Sequence, residues 1–202
     1  GFHRYATDRF WKVPHFEKML YDQAQLALLY TDAYAATLQP EYEQTVREIF
    51  QFAKNELHSE NGVYFSALNA ESEGTEGLFY LWTHSEIDGL LAENEKELLH
   101  SFNVLPEGNW SDPVTGRVES TNILHADSIS NALAPVEKWE QVRRRLYAYR
   151  MQKSLPDKDD KIITSWNALM ARALARAGRV LKESTYIADS ERIVEFLLSK
   201  MR

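Results

Sequence analysis

Residues 14–40 read PHFEKMLYDQAQLALLYTDAYAATLQP and decide the fold class. Pro14 suits the first position of a helix, where its missing N–H leaves no hydrogen bond unmade, and Pro40 ends the run. Between the two prolines apolar residues fall on nearly every side, so we predict a helix over 14–38 that is buried all round. The next helix, predicted over 41–58, keeps its apolar residues on one stripe and therefore lies on a surface.

The same pair of helices recurs near the end of the sequence. Residues 164–182 are apolar and alanine-rich apart from a basic edge, and residues 185–201 return to a one-sided apolar stripe. A third pair is predicted at 84–102, as a short helix, and at 136–152. A buried helix followed by an amphipathic one indicates a ring of inner and outer helices, whereas no fixed sequence period supports a stacked solenoid. We therefore predict a mainly α chain that forms part of an (α/α) toroid.

Two stretches interrupt the helical pattern. Residues 63–67 and 78–82 have the aromatic content of short strands, and an acidic, glycine-bearing loop at 69–77 joins them, which predicts a small antiparallel β-hairpin insertion. The acidic loop lacks the regular spacing of a calcium-binding EF-hand loop, so it reads as a solvated hairpin tip. Residues 105–135 are polar and aperiodic, as long functional or mobile loops are.

Composition excludes several classes of function. The 202 residues are 44% hydrophobic and 26% charged, an ordinary globular balance, and the net charge of −7 disfavours a nucleic-acid partner. No apolar run approaches the roughly 18 residues of a membrane span, so we expect no membrane association. The absence of cysteine excludes disulfides and sulfur-bound zinc within these residues and fits a reducing, cytoplasmic setting. No histidine pair has helical metal-binding spacing, so we expect neither metal nor cofactor.

Polar and aromatic residues concentrate near the start of the chain. On the predicted helix His15, Lys18 and Asp22 share one face, and Glu17 and Tyr21 form the neighbouring stripe. A histidine, a lysine and two carboxylates at the mouth of a buried helix offer acid, base and charge stabilisation together. An ordinary helix-terminal turn with a Lys18–Asp22 ion pair is the structural alternative.

A second polar cluster precedes the helix predicted over 164–182. Asp160 and Lys161 lead into it, and Trp166 with Asn167 offers an aromatic face and an amide, a common combination for holding a sugar ring. Helix capping explains this cluster equally well. Because alternate helices of a toroid run in the same direction, we expect both clusters to line one cavity. The candidate catalytic residues are His3, His15, Glu17, Asp22 and Asp160, and the candidate ligand-binding residues are Arg4, Tyr5, Trp11, Lys18, Tyr21, Trp82, Lys161, Trp166 and Asn167.

Several runs of this sequence resemble a known family. GFHRY at 1–5, PHFEKMLYDQ at 14–23, EGLFYLW at 76–82 and DDKIITSWN at 159–167 are similar to runs in the spermatogenesis-associated, thioredoxin-domain-containing family. The resemblance implies an N-terminal thioredoxin-like domain followed by a six-hairpin (α/α)6 toroid similar to sugar 2-epimerases and related glycosidases. Residues 1–202 would then be one fragment of the toroid domain, without the thioredoxin-like domain and the later hairpins.

The residues and the resemblance leave two functions open. The first is an enzyme acting on a small carbohydrate. A sugar epimerase or isomerase would use His3 and His15 as base and acid, whereas a glycosidase-like enzyme would use carboxylates among Glu17, Asp22 and Asp160. The second is a non-catalytic module that binds a ligand or docks the thioredoxin-like domain. A partial toroid also exposes the flanks of its inner helices, so we expect self-association.

Overall fold

The structure is a computed structural model that describes residues 1–111, 120–125 and 136–201, with the side chains of 136–138 excepted. Part of the loop predicted over 105–135 therefore lies outside the described residues. The chain divides into two compact units. The first unit comprises Gly1–Tyr5, His15–Ala70 and Asp157–Arg202, and the second comprises Ala6–Pro14 and Glu71–Pro156. The prediction of one toroid domain over 1–202 stays a prediction.

Helices dominate the described residues, which confirms the mainly α class. They are α1 (Leu20–Thr37), α2 (Pro40–Phe52), α3 (His84–Leu90), α4 (Glu97–Ser101), α5 (Val136–Arg150), α6 (Thr164–Val180) and α7 (Ser184–Lys200), with a π-helical turn at Ala53–Leu57 and 3-10 turns at Leu78–Tyr80 and Glu93–Glu95. The strands have two residues each: β1 (Lys18–Met19), β2 (Ala67–Leu68), β3 (Glu71–Ser72), β4 (Thr75–Glu76), β5 (Trp82–Thr83), β6 (Thr121–Asn122) and β7 (Lys158–Asp159).

Helices α1 and α6 form the centre of the first unit. α1 packs against α2 and α6, and α6 packs against α1 and α7, so the four helices follow the order α2, α1, α6, α7. Small side chains at the α1–α6 contact, such as Ala24, Ala27 and Ala173, are buried and allow the two helices to approach closely. The two helices predicted to be inner are therefore the two that lie between others, each with its outer partner, as in the hairpins of the predicted toroid.

The start of α1 differs from the prediction. The helix begins at Leu20 rather than at Pro14, because Lys18 and Met19 form β1 and pair with β2. The N–H of Leu20 donates to the carbonyl of Ser66 over 2.8 Å, which continues this contact. α1 is also not buried all round, since 61% of Leu29 is exposed on the side that neither α2 nor α6 covers.

A three-stranded sheet ties the two central helices together. β2 is the middle strand and is antiparallel to both β1 and β7, so β1 and β7 run in the same direction. β1 leads directly into α1, and β7 leads into α6 after a short link over 160–163. The N-termini of α1 and α6 consequently open on the same side of the first unit, as alternate helices of a toroid were expected to do.

The small β-hairpin lies within the second unit, in the stretch predicted to be its loop. β3 and β4 pair across Glu73 and Gly74, whose φ angles of 53° and 74° are those that a two-residue hairpin turn requires. The strands predicted at 63–67 and 78–82 do not pair with each other. Residues 78–80 form a 3-10 turn, and β5 after it pairs with β6. The tight turn at Gly74 lets the chain reverse within the predicted loop, so the paired residues lie closer to the turn than the aromatic pattern indicated.

Candidate functional site

An ion-pair network joins the first residues of the chain to the segment before α1. Arg4 Nη1 donates to Glu17 Oε2 over 3.1 Å, and His15 Nε2 lies 3.2 Å from the same oxygen. The His15 ring stacks on Tyr5 with ring centroids 5.0 Å apart, and the His15 backbone N–H donates to the Tyr5 carbonyl over 2.8 Å. Four predicted site residues therefore form one polar–aromatic cluster in the first unit.

Asp22, in the first turn of α1, is the carboxylate of this region whose acidity is altered. Burial raises the pKa of Asp22 above its usual value, and the positive charge of Arg4 opposes that change. Its buried Oδ2 has no hydrogen-bond partner within the described part of the chain. A partly desolvated carboxyl group beside a guanidinium is a candidate acid or base, because its proton is held at a higher pH than that of a surface carboxyl.

Tyr21 and Trp166 join the first turns of α1 and α6. Their rings meet edge to face, with centroids 4.7 Å apart and an interplanar angle of 70°. The hydrogen bond with Glu17 is the largest cause of the raised pKa of Arg4. A hydrogen bond with Tyr21 also raises it, so Arg4 contacts Tyr21 as well. The two clusters that the sequence places at opposite ends of the chain thus meet through this aromatic pair, and both rings remain partly exposed.

Lys18 does not share a helix face with His15 and Asp22, as it was predicted to do. It lies in β1, only 8% of it is exposed, and its ammonium stands 5.0 Å from the centroid of the Phe52 ring in a cation–π contact. The strand backbone, with its alternating side chains, turns Lys18 to the interior, and its ligand-binding role stays a prediction.

His3 is held through its backbone-facing nitrogen. Its Nδ1 lies 3.0 Å from the Phe16 carbonyl oxygen, and because a carbonyl only accepts, Nδ1 carries the proton. The ring also packs edge-on against Phe16 at a centroid distance of 5.6 Å. In the neutral ring Nε2 is consequently the basic nitrogen of His3.

Asn167 makes structural contacts, and its ligand-binding role stays a prediction. Its side chain is fully buried. The Asn167 Oδ1 accepts from the Tyr64 N–H over 2.8 Å, and its Nδ2 donates to the Tyr64 carbonyl over 2.9 Å. The amide ties α6 to the segment before β2.

Asp160 and Lys161 lie exposed in the link between β7 and α6. Lys161 Nζ pairs with Asp159 Oδ1 at 2.7 Å, and this contact lowers the pKa of Asp159. The ammonium of Lys161 thereby offsets the negative charge of Asp159 at the end of β7. The predicted catalytic role of Asp160 and the predicted ligand contact of Lys161 stay predictions.

Two predicted site residues belong to the second unit. Trp82 is 3% exposed and packs within that unit's core, stacked on Tyr149 at 5.8 Å with Lys153 over its ring at 4.5 Å. The Trp82 ring is enclosed by protein, and its ligand-binding role stays a prediction. Trp11, in contrast, is 85% exposed on a backbone with a positive φ of 59°, and its ligand-binding role stays a prediction.

Sequence reasoning did not single out Gln23, which the structure places among the best-bonded side chains of the first unit. Gln23 is fully buried at the fourth position of α1, and its amide bonds both the N–H and the carbonyl of Phe2. The only signal in the sequence was a polar amide at a position where the predicted helix was to be buried.

The described residues contain neither a metal-binding group of side chains nor a helix able to span a membrane. No three histidine or acidic side chains among them are grouped so as to hold a metal ion. None of the helices over the described ranges combines the length and the apolar character that crossing a bilayer needs.

Comparison with curated proteins identifies relatives over the whole chain. The chain is 32% identical to spermatogenesis-associated protein 20 of Homo sapiens over 230 residues, which cover 100% of this chain and 29% of the relative. It is 32% identical to the same protein of Rattus norvegicus over 229 residues, with the same coverage. An uncharacterized protein of Caenorhabditis elegans is 30% identical over 225 residues, covering 98% of this chain and 31% of the relative. No protein-family model matches the chain.

These matches confirm the resemblance of the sequence runs to the spermatogenesis-associated family. The chain is homologous to spermatogenesis-associated protein 20 and spans less than a third of the length of the relatives it matches. Among solved structures, a crystal structure of D-mannose isomerase superposes with a TM-score of 0.29 at 16% identity, covering 91% of this chain and 41% of that one. A likeness of this score carries no argument about fold or activity.

Proposed function

We propose that the first unit binds a small polyhydroxylated ligand, of the class of a monosaccharide, where the N-termini of α1 and α6 meet, and moves a proton on it. The main support for this proposal comes from Asp22. Its carboxyl group has a buried Oδ2 without a hydrogen-bond partner in the described structure and a pKa raised by burial, and it lies within the field of Arg4. A carboxylate whose pKa lies above its usual value is a stronger base than a surface carboxylate and can accept and return a proton.

The surroundings of Asp22 support a sugar-like ligand. Tyr21 and Trp166 offer partly exposed aromatic faces for the C–H groups of a sugar ring. The Arg4 guanidinium supplies donors, and the Glu17 carboxylate that it pairs with supplies acceptors for hydroxyl groups. A cluster with donors, acceptors and an aromatic face in one place is what recognition of a polyhydroxylated molecule requires.

The proposed chemistry is that of a sugar isomerase or epimerase. Asp22 removes the C2 proton beside the carbonyl of the open-chain sugar. The C–H electron pair becomes the C1–C2 double bond, and the carbonyl π pair moves onto the oxygen, which becomes the negatively charged oxygen of an enediolate. Arg4 stabilises that negative charge. His15, held by Glu17 at 3.2 Å, supplies a second acid–base group. In epimerisation it returns a proton to C2 on the opposite face, and in isomerisation it moves the proton of the C2 hydroxyl to the C1 oxygen while Asp22 returns its proton to C1. A glycosidase-like role for Glu17 and Asp22 is the variant of this proposal that uses both carboxylates.

Ligand binding is tested by saturation-transfer NMR with D-glucose, D-mannose and D-galactose at millimolar concentration. We expect signal transfer to the C–H protons of at least one sugar, and its loss in Trp166→Ala, with thermal unfolding as the check that the variant is folded. Trp110→Ala is the matched control, since Trp110 lies buried in the second unit. Transfer to no sugar, or transfer that survives in Trp166→Ala, contradicts the site.

The second unit favours an additional role, docking of the thioredoxin-like domain that the family resemblance implies. Phe10 and Trp11 are 63% and 85% exposed. The Asp8 carboxylate accepts from the backbone N–H groups of Phe10, Lys12 and Val13, which holds the loop that presents them. Loss of binding to the isolated thioredoxin-like domain in Trp11→Ala tests this role. The cytoplasmic setting stays a prediction.

A further inference from the structure

Gln23 and Asn167 form the same structural device on the two central helices. Each is the fourth residue of its helix, α1 or α6, and each is fully buried. The Phe2 N–H donates to Gln23 Oε1 over 2.8 Å, and Gln23 Nε2 donates to the Phe2 carbonyl over 2.7 Å. Asn167 bonds the N–H and the carbonyl of Tyr64 in the same way, at 2.8 and 2.9 Å.

The third hydrogen bond of each amide repeats as well. Gln23 Nε2 donates to the Met19 carbonyl over 3.4 Å, and Asn167 Nδ2 donates to the Ile163 carbonyl over 3.2 Å, in both cases four residues earlier. Each amide thus donates to the carbonyl of the N-cap residue of its own helix and also pairs with both backbone groups of one residue outside the helix.

The two buried amides, which we call clamps, bind different segments of the chain. Asn167 holds Tyr64, which belongs to the core of the first unit. Gln23 holds Phe2 and therefore the segment Gly1–Tyr5, which carries His3, Arg4 and Tyr5 of the candidate site.

We infer that Gln23 is a positioning residue of the candidate site, which fixes the Gly1–Tyr5 segment so that Arg4 stays on Glu17 and beside Asp22. The functional part of this inference rests on the proposed sugar site, whereas the clamp itself does not. Two further contacts restrict the position of the Gly1–Tyr5 segment. The Phe2 ring stacks on Tyr30 at 5.9 Å, and a Cβ at Gly1 would lie 2.2 Å from the Phe52 ring.

The clamp is tested by trypsin under native conditions. Arg4 is exposed, so cleavage after Arg4 reports how often the Gly1–Tyr5 segment leaves the surface. In Gln23→Ala we expect the rate of this cleavage to rise by about tenfold or more, because two backbone hydrogen bonds are lost. Gln25→Ala is the control: Gln25 is an exposed glutamine on the same helix, and cleavage after Arg4 should stay at the wild-type rate in this variant. An unchanged rate in Gln23→Ala, or an equal rise in both variants, overturns the clamp.

The functional part is tested by a double-mutant cycle on the dissociation constant of the sugar found by saturation-transfer NMR. Arg4→Ala and Gln23→Ala should each weaken binding about tenfold, and the double variant should bind no more weakly than Arg4→Ala alone, because Gln23 acts through Arg4. Additive losses would assign Gln23 a merely structural role and refute positioning. If the wild type binds no sugar, the proposed function fails while the trypsin result still decides the clamp.

Discussion

Replacement of Asn167 by alanine should destabilise the first unit more than most single substitutions. The buried amide is the partner of the Tyr64 N–H at 2.8 Å and of the Tyr64 carbonyl at 2.9 Å. A buried backbone group left without a partner costs about 1–3 kcal/mol, so two groups with some relaxation give a loss of about 2–4 kcal/mol in the free energy of unfolding. For a chain of this length each kcal/mol lowers Tm by about 2–4 °C, which predicts a decrease of about 5–15 °C.

Urea unfolding followed by circular dichroism measures this loss directly. Asn61→Ala is the control, because Asn61 is exposed and its substitution should change stability by less than about 0.5 kcal/mol. A loss in Asn167→Ala as small as that of the control would refute the reasoning, since it would mean that the Tyr64 backbone finds other partners at no cost.

Three further substitutions test other parts of the structure. Because burial raises the folded-state pKa of Asp22 above its unfolded value, the native state binds this proton more tightly, and stability falls as pH rises between the two pKa values. Asp22→Asn should therefore flatten that part of the pH–stability profile measured by urea unfolding, and an unaltered profile counts against the burial of Asp22. Lys153→Met should destabilise the chain by about 1–3 kcal/mol in the same assay, because Glu86 and the Leu81 carbonyl lose a partner at 3.0 and 2.7 Å. An unchanged free energy of unfolding would show that these contacts do not stabilise the fold. Leu198→Glu should reduce self-association in sedimentation velocity, because Leu198 lines an apolar cavity of about 440 Å³ along α6 and α7; a wild type that is monomeric throughout contradicts this proposal.

Helices with complete local signals were predictable from the sequence. The apolar period over 164–182 and the stripe over 185–201 match α6 and α7 to within two residues at each end. The start of α1 was not predictable in this way. Pro14 and the apolar run after it are compatible with a helix, but Lys18 and Met19 are drawn into a strand by Leu68 and Ala67, partners far away in the sequence.

The candidate site was predictable where it depends on helix direction and not where it depends on single side chains. The shared direction of β1 and β7 brings Tyr21 and Trp166 together, as an argument from parallel helices expects. Asn167 and Lys18 carry the polar groups of a binding site, yet each satisfies a partner inside the protein that no local pattern reveals. Burial, not residue type, separates the structural polar groups from the candidate functional ones.

The central claim is that Asp22 moves a proton on a sugar, and deuterium exchange tests it most directly. The protein is incubated in D₂O with the aldohexose that binds, and ¹H NMR follows the C2 proton of the sugar. We expect the wild type to replace this proton by deuterium, Asp22→Asn to lose at least 99% of the rate, roughly the hundredfold that general base catalysis supplies, and Asp32→Asn, on the exposed face of α1, to retain it. Wild-type exchange no faster than in buffer, or undiminished exchange in Asp22→Asn, would contradict the account.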